Sequence, residues 1–203
     1  MEAVTYPVNE IFRSIQGEGY HAGTPAIFIR LAGCNLSCPW CDTDHSEKER
    51  LTAKEILARV HALEPSSATI SMVVLTGGEP TIHPLIPLLD ELKNHYVAIE
   101  TNGALPSELV HLRRDRLLLD WVTISPKEEP TNEILQIFKW NASEIKVVLD
   151  GTYDPTIFET DLWIAPKLYI QPLSEDYGPA VDFVLAHPRW KLSVQLQKVI
   201  KAR

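Results

Sequence analysis

From Ala26 onward, apolar runs of strand length alternate with segments of helical period, and that alternation confines the chain to a parallel α/β arrangement. Strands are predicted over residues 26–31, 70–75, 96–100, 118–124, 144–149, 168–171 and 191–195. Helices are predicted over 52–63, about 84–93, 107–112, 131–138, about 155–162 and 179–186. In the first helix Ile56, Leu57, Val60 and Leu63 share a face, and Thr52 with Glu55 has capping-box spacing. Strands joined through helices imply right-handed crossovers and a mainly parallel sheet. No Gly/Ser-rich or charged linker interrupts the 203 residues, so one domain over 1–203 is expected.

The chemically distinctive residues come directly after the strands. Gly33 and the cysteines follow the first, Thr76-Gly77-Gly78-Glu79-Pro80 the second and Thr101-Asn102-Gly103 the third. Ser125-Pro126-Lys127, Asp150-Gly151 and Gln171-Pro172-Leu173-Ser174 follow later ones. Ligands of parallel α/β folds bind at the carboxyl ends of strands, so these loops are expected to converge on one site.

The chain has 3 cysteines, all between residues 34 and 41, which makes a poor disulfide framework and a good metal site. Their spacing could also form a stripe on one helical face, but Gly33, Asn35 and Pro39 oppose a helix there. Zinc is one possible occupant, with His45 or Asp44 as fourth ligand. A four-iron cluster is the other, and three cysteines would leave one iron with an exchangeable position.

Cys34-Asn35-Leu36-Ser37-Cys38-Pro39-Trp40-Cys41 resembles the C-x3-C-x2-C signature of the radical S-adenosylmethionine (SAM) superfamily, and Thr-Gly-Gly-Glu-Pro resembles that superfamily's motif at the methionine amino group. Asn9 to Phe12, Ile15 to Gly19, Pro25 to Arg30, Cys41 to Thr43, Trp121 to Lys127 and Gln171 to Ser174 together resemble the 7-carboxy-7-deazaguanine synthase family, from about Asn9 to the end. The resemblance implies a compact radical SAM core, a partial (β/α) barrel. It implies conversion of 6-carboxy-5,6,7,8-tetrahydropterin to 7-carboxy-7-deazaguanine, a radical ring contraction with loss of ammonia, on the route to queuosine.

By the same resemblance, Cys34, Cys38 and Cys41 hold a 4Fe-4S cluster. SAM is met by Gly78, Ser125, Pro126, Lys127, Gln171, Pro172, Leu173 and Ser174. Ile15, Gln16, Gly17, Arg30 and Thr76 meet the pterin, and Thr43 meets Mg2+. A homodimer and a flavodoxin or ferredoxin electron donor are implied as well, and no side chain is required as acid or base. Gln197 stands where the family pattern suggests His, and Glu18 between two glycines receives no role. The readings set against this one are another radical SAM enzyme, such as a glycyl-radical activase, and a non-catalytic zinc or iron-sulfur module.

A formal net charge of -8 argues against nucleic-acid binding, which needs excess cationic charge to displace counterions. No run reaches the ~18 apolar residues of a membrane span, and the first residues have no signal-peptide pattern, so a cytoplasmic location is expected.

Overall fold

The computed structural model describes residues 4–66, 71–105, 118–159 and 166–202. Its strands are β1 (Thr5–Ile15), β2 (Pro25–Leu31), β3 (Glu49–Thr52), β4 (Met72–Gly77), β5 (Tyr96–Thr101), β6 (Trp121–Ile124), β7 (Glu144–Leu149), β8 (Lys167–Pro172) and β9 (Trp190–Leu192). The helices are α1 (Ala53–Leu63), α2 (Ile86–Leu92), α3 (Asn132–Asn141), α4 (Gly178–Ala186) and α5 (Leu196–Val199). One sheet contains them all in the order β3-β1-β2-β4-β5-β6-β7-β8-β9. Pairing is parallel from β2 to β9, and β1 runs antiparallel to both β2 and β3.

Side chains alternate between the two faces of a strand, and here the faces have different work. Ile27, Ile29, Val73, Leu75, Val97, Ile99, Val122, Ile124, Ile145, Val147 and Ile170 point one way and are buried with Ile56 and Val60 of α1, Leu88, Leu89 and Leu92 of α2, and Phe138 of α3. Each such side chain contributes about 1.5–3 kcal/mol on burial. The opposite face starts apolar at the amino ends of the strands, where Phe12, Ala26, Phe28, Met72, Val74 and Ala98 form a second small cluster. Toward the carboxyl ends it turns polar. The registers Arg30 with Thr76, Glu100 with Thr123, Thr123 with Glu144 and Val148 with Gln171 put those polar residues, with Lys146, on that one face.

The capping box is present: Thr52 Oγ1 accepts from the Glu55 N–H, and the Glu55 carboxylate accepts from the Thr52 N–H. β1 is a strand the apolar periodicity does not announce, because its register shifts between Val8 and Glu10 and breaks the two-residue period. β3 is a short, charged edge strand, Glu49-Arg50-Leu51-Thr52, of the kind that blunts a sheet margin. The strand expected over 191–195 ends at Leu192, and the chain then turns into α5. Over 155–162 only a 3-10 turn, Pro155–Phe158, is formed within the described residues, capped by the Asp154 carboxylate on the Thr156 N–H. The helix expected over 107–112 lies outside the described residues. No described helix is long and apolar enough to cross a membrane.

Candidate active site

The polar face opens into two adjoining cavities, of about 330 Å³ beside the cysteine loop and about 240 Å³ beside β1 and β2. Glu18, Asp42, Thr43, Thr76, Glu100 and Gln195 line both, so the two are halves of one cleft.

The cysteine loop leaves β2 at the rim of the larger half and is tied down from three sides. The Gly33 N–H donates to the His45 carbonyl (2.9 Å), the Glu79 N–H to the Gly33 carbonyl (2.9 Å), and Asn102 Nδ2 to Asn35 Oδ1 (2.9 Å). Gly77 has φ +136, and a β-carbon on it would meet the Leu31 carbonyl oxygen at 2.0 Å. On Gly78 a β-carbon would lie 1.8 Å from the Gly33 oxygen, so the crossing of these two loops requires glycine. Glu79, fully buried, accepts from the Thr81 N–H (3.0 Å), Thr81 Oγ1 (2.6 Å), Thr101 Oγ1 (2.6 Å) and the Asn102 N–H (2.7 Å). One carboxylate thus joins the loops after β4 and β5.

Cys34 and Cys38 are half-buried and Cys41 is exposed. Burial pushes the Cys38 thiol up, with the neighbouring Cys41 and Cys34 adding to the shift and Lys127 opposing it. Among the described residues only His61, Glu64 and His95 bring three metal-donor atoms within 4.8 Å of one another. No such group includes the cysteine sulfurs, His45 or Asp44 among the described residues. Three thiols spread around one loop suit a polynuclear group with one iron left open.

Gly78, Ser125, Lys127 and Gln171 line the larger cavity. Lys127 donates from Nζ to Ser125 Oγ (2.9 Å) and lies 5.2 Å from the Trp40 ring centre. Burial lowers its pKa, and the charge of Lys146 adds to that. The Pro126 carbonyl accepts from the Tyr153 hydroxyl (3.3 Å) instead of facing the cavity. Pro172 is buried at the end of β8, while Leu173 and Ser174 are exposed, and none of the three lines the cavity.

Ile15, Gln16, Gly17, Arg30 and Thr76 all line the smaller half. Gln16 Nε2 and Thr76 Oγ1 donate to the two oxygens of Glu100 (2.9 and 3.1 Å), which sets that carboxylate across the junction of the halves. Arg30 lies 5.6 Å from the Phe12 ring centre and 3.4 Å, through Nε, from Glu10 Oε1. The ion pair is close enough for attraction, yet Nε makes no hydrogen bond of proper geometry. Phe12 and Phe28, stacked at 5.1 Å, supply an aromatic wall. Thr43 and Asp42 sit where the cysteine loop meets this half.

Glu18 carries more than a loop charge. Its carboxylate pairs with buried Lys146 and also accepts from Gln195 Nε2 (2.8 Å) and Gln197 Nε2 (3.0 Å). Burial opposes the Glu18 charge, but the Lys146 ammonium and these hydrogen bonds hold its carboxyl low, at about 2. Lys146 is held up in turn: burial works against it, and the charges of Glu18 and Glu100 outweigh burial. The two residues lie 128 positions apart, so only a glycine-flanked acid and an out-of-place strand lysine hinted at the pair. Gln197 anchors the tail here, and the Leu196 N–H donates to the Gly17 carbonyl (2.9 Å).

A radical SAM superfamily profile matches residues 28–153. The 7-carboxy-7-deazaguanine synthase of Bacteroides thetaiotaomicron is 42% identical over 199 residues, covering 97% of this chain and 98% of that protein. The protein of the same name from Synechocystis sp. is 34% identical, covering 98% and 95%. Among solved structures, QueE from Escherichia coli superposes with a TM-score of 0.71 at 30% identity, covering 95% of this chain and 94% of that one.

Proposed function

The chain belongs to the 7-carboxy-7-deazaguanine synthase family of the radical SAM superfamily, and on that basis we propose that the two halves of its cleft divide the reaction between cofactor and substrate. It is a radical SAM enzyme of the queuosine pathway, and a 4Fe-4S cluster and SAM come with that class. The reaction read for it is the ring contraction of 6-carboxy-5,6,7,8-tetrahydropterin to 7-carboxy-7-deazaguanine. The observation that carries the division is the shared wall: Thr76 and Glu100 line both halves, so ligands in the two are in contact range.

In the larger half, Cys34, Cys38 and Cys41 would hold the cluster, and Gly78, Ser125, Lys127 and Gln171, which line it, would hold SAM. When bound, cluster and SAM supply hydrogen-atom abstraction from the substrate. In the smaller half, the Arg30 guanidinium grips the pterin carboxylate by a charge-assisted fork. Ile15, Gln16 and Gly17 frame the bicyclic ring, and Phe12 with Phe28 keeps water from one side of it. Glu100, oriented by Gln16 and Thr76, is placed to accept hydrogen bonds from ring N–H groups.

Thr43 joins the substrate carboxylate in holding Mg2+, since magnesium keeps several waters and takes few protein ligands. Asp42, beside it, is the next donor in reach. The exposed Cys41 side of the loop is the entry for electrons from a flavodoxin or ferredoxin, and the working form is a homodimer.

The test is an anaerobic incubation of cluster-reconstituted enzyme with reductant, SAM, Mg2+ and carboxytetrahydropterin, followed by mass analysis. Formation of 7-carboxy-7-deazaguanine is expected. Reductive cleavage of SAM with the pterin left unchanged would overturn the substrate assignment.

A further inference from the structure

We propose a second metal site, for a Zn2+-class divalent ion, on His61, Glu64 and His95, at the end of the sheet opposite the cleft. His61 is in the last turn of α1 and Glu64 caps that helix, three residues on. His95 lies in the turn between α2 and β5. The donor atoms of the three all lie within 4.8 Å of one another. His95 Nε2 is 3.2 Å from Glu64 Oε1, and the two imidazole rings are 5.7 Å apart. A tetrahedral ion with bonds of ~2.0–2.1 Å sets its ligands ~3.3 Å apart, so the His95–Glu64 edge already has the required length.

The tautomer strengthens the case. His95 Nδ1 lies 3.2 Å from the Leu92 carbonyl oxygen, which can only accept, so Nδ1 carries the proton. In the neutral ring Nε2 then presents its lone pair beside the Glu64 carboxylate, where both can ligate one cation. An imidazole whose other nitrogen donates to a backbone carbonyl is the usual support of a metal-ligating histidine. The His95 side chain is only 5% exposed, which holds the ring in place, while exposed His61 can swing onto the ion as third ligand. Two imidazoles and a carboxylate make a borderline donor set that suits zinc better than magnesium or calcium. The fourth position would be left to a water or hydroxide.

Such an ion would join α1 to the start of β5. Glu100 and Thr101 are at the other end of that strand, ~17 Å away at ~3.3 Å per residue, so the site is separate from the cluster and does not depend on the proposed reaction.

The rival is a plain imidazolium–carboxylate pair, and zinc titration separates the two. Holoenzyme with its cysteines occupied by the cluster should bind one further Zn2+ per chain by equilibrium dialysis. His61→Ala, a surface change that leaves folding intact, and the isosteric Glu64→Gln should each weaken that binding by at least about tenfold. SAM cleavage should be unchanged in both. Absence of a further zinc equivalent, or zinc binding in both variants equal to that of the unmodified protein, overturns the site and leaves the ion pair.

Discussion

Replacing Lys146 with Met should expose the cost of the buried pair at the heart of the cleft. The side chains of Lys146 and Glu18 are only 7% and 14% exposed. In the variant, Glu18 keeps two neutral donors, Gln195 and Gln197, but loses the cation it pairs with. Breaking a buried ion pair by removing one partner costs about 3–5 kcal/mol. Both residues line the cavity, where water can enter, so the lower end, about 3 kcal/mol at pH 7, is expected. With a urea slope of ~2 kcal/mol/M, the midpoint should fall by about 1.5 M.

The pH dependence gives the sharper test. In the unmodified protein the Glu18 carboxyl is depressed from 4.5 to about 2. Its contribution is therefore full above pH 4.5 and is lost as the pH falls toward 2. Without Lys146, burial dominates and raises the Glu18 pKa, so the variant gains relative stability as acid neutralises the carboxylate. Urea midpoints measured from pH 8 to pH 4 should show the deficit shrinking. A deficit that is absent at pH 7, or that grows on acidification, would refute the pair as the source of stability. Lys146→Met combined with Glu18→Gln should be less damaged than Lys146→Met alone.

Glu79→Gln turns an NH2 toward donors that now meet carboxylate oxygens, at about 2–3 kcal/mol, so the melting temperature should drop by roughly 5–10 °C in calorimetry. Gly78→Ala must push the Gly33 carbonyl aside, and SAM cleavage should fall about 10²-fold while circular dichroism stays native. Thr43→Ala should lose magnesium stimulation of turnover with the cluster absorbance intact; full stimulation would move the ion to Asp42 or elsewhere. Deleting residues 198–203 removes the Lys198–Asp42 contact (2.6 Å) between tail and cysteine loop and should raise the KM for the pterin. The pair itself is exposed and adds little stability, so unchanged kinetics would mean that the tail is only an end.

What is local in this protein could be read in one dimension. Apolar runs of strand length located β2, β4, β5, β7 and β8, and the Thr52–Glu55 spacing located the start of α1, because these signals lie within a few residues of what they predict. The cysteine loop and Gly77-Gly78 were equally legible, since close approach leaves no choice of side chain. β1 escaped because its bulge breaks the period, and β3 because a charged four-residue edge carries no apolar signal. Only tertiary structure decided how β-register sorts Arg30, Thr76, Glu100, Thr123, Lys146 and Gln171 onto one face. It alone brought Glu18 to Lys146, Gln197 to Glu18, and His61 to His95. Those partners are far apart along the chain, and a buried charge or a metal donor takes its role from what stands 3 Å away, which residue order does not state.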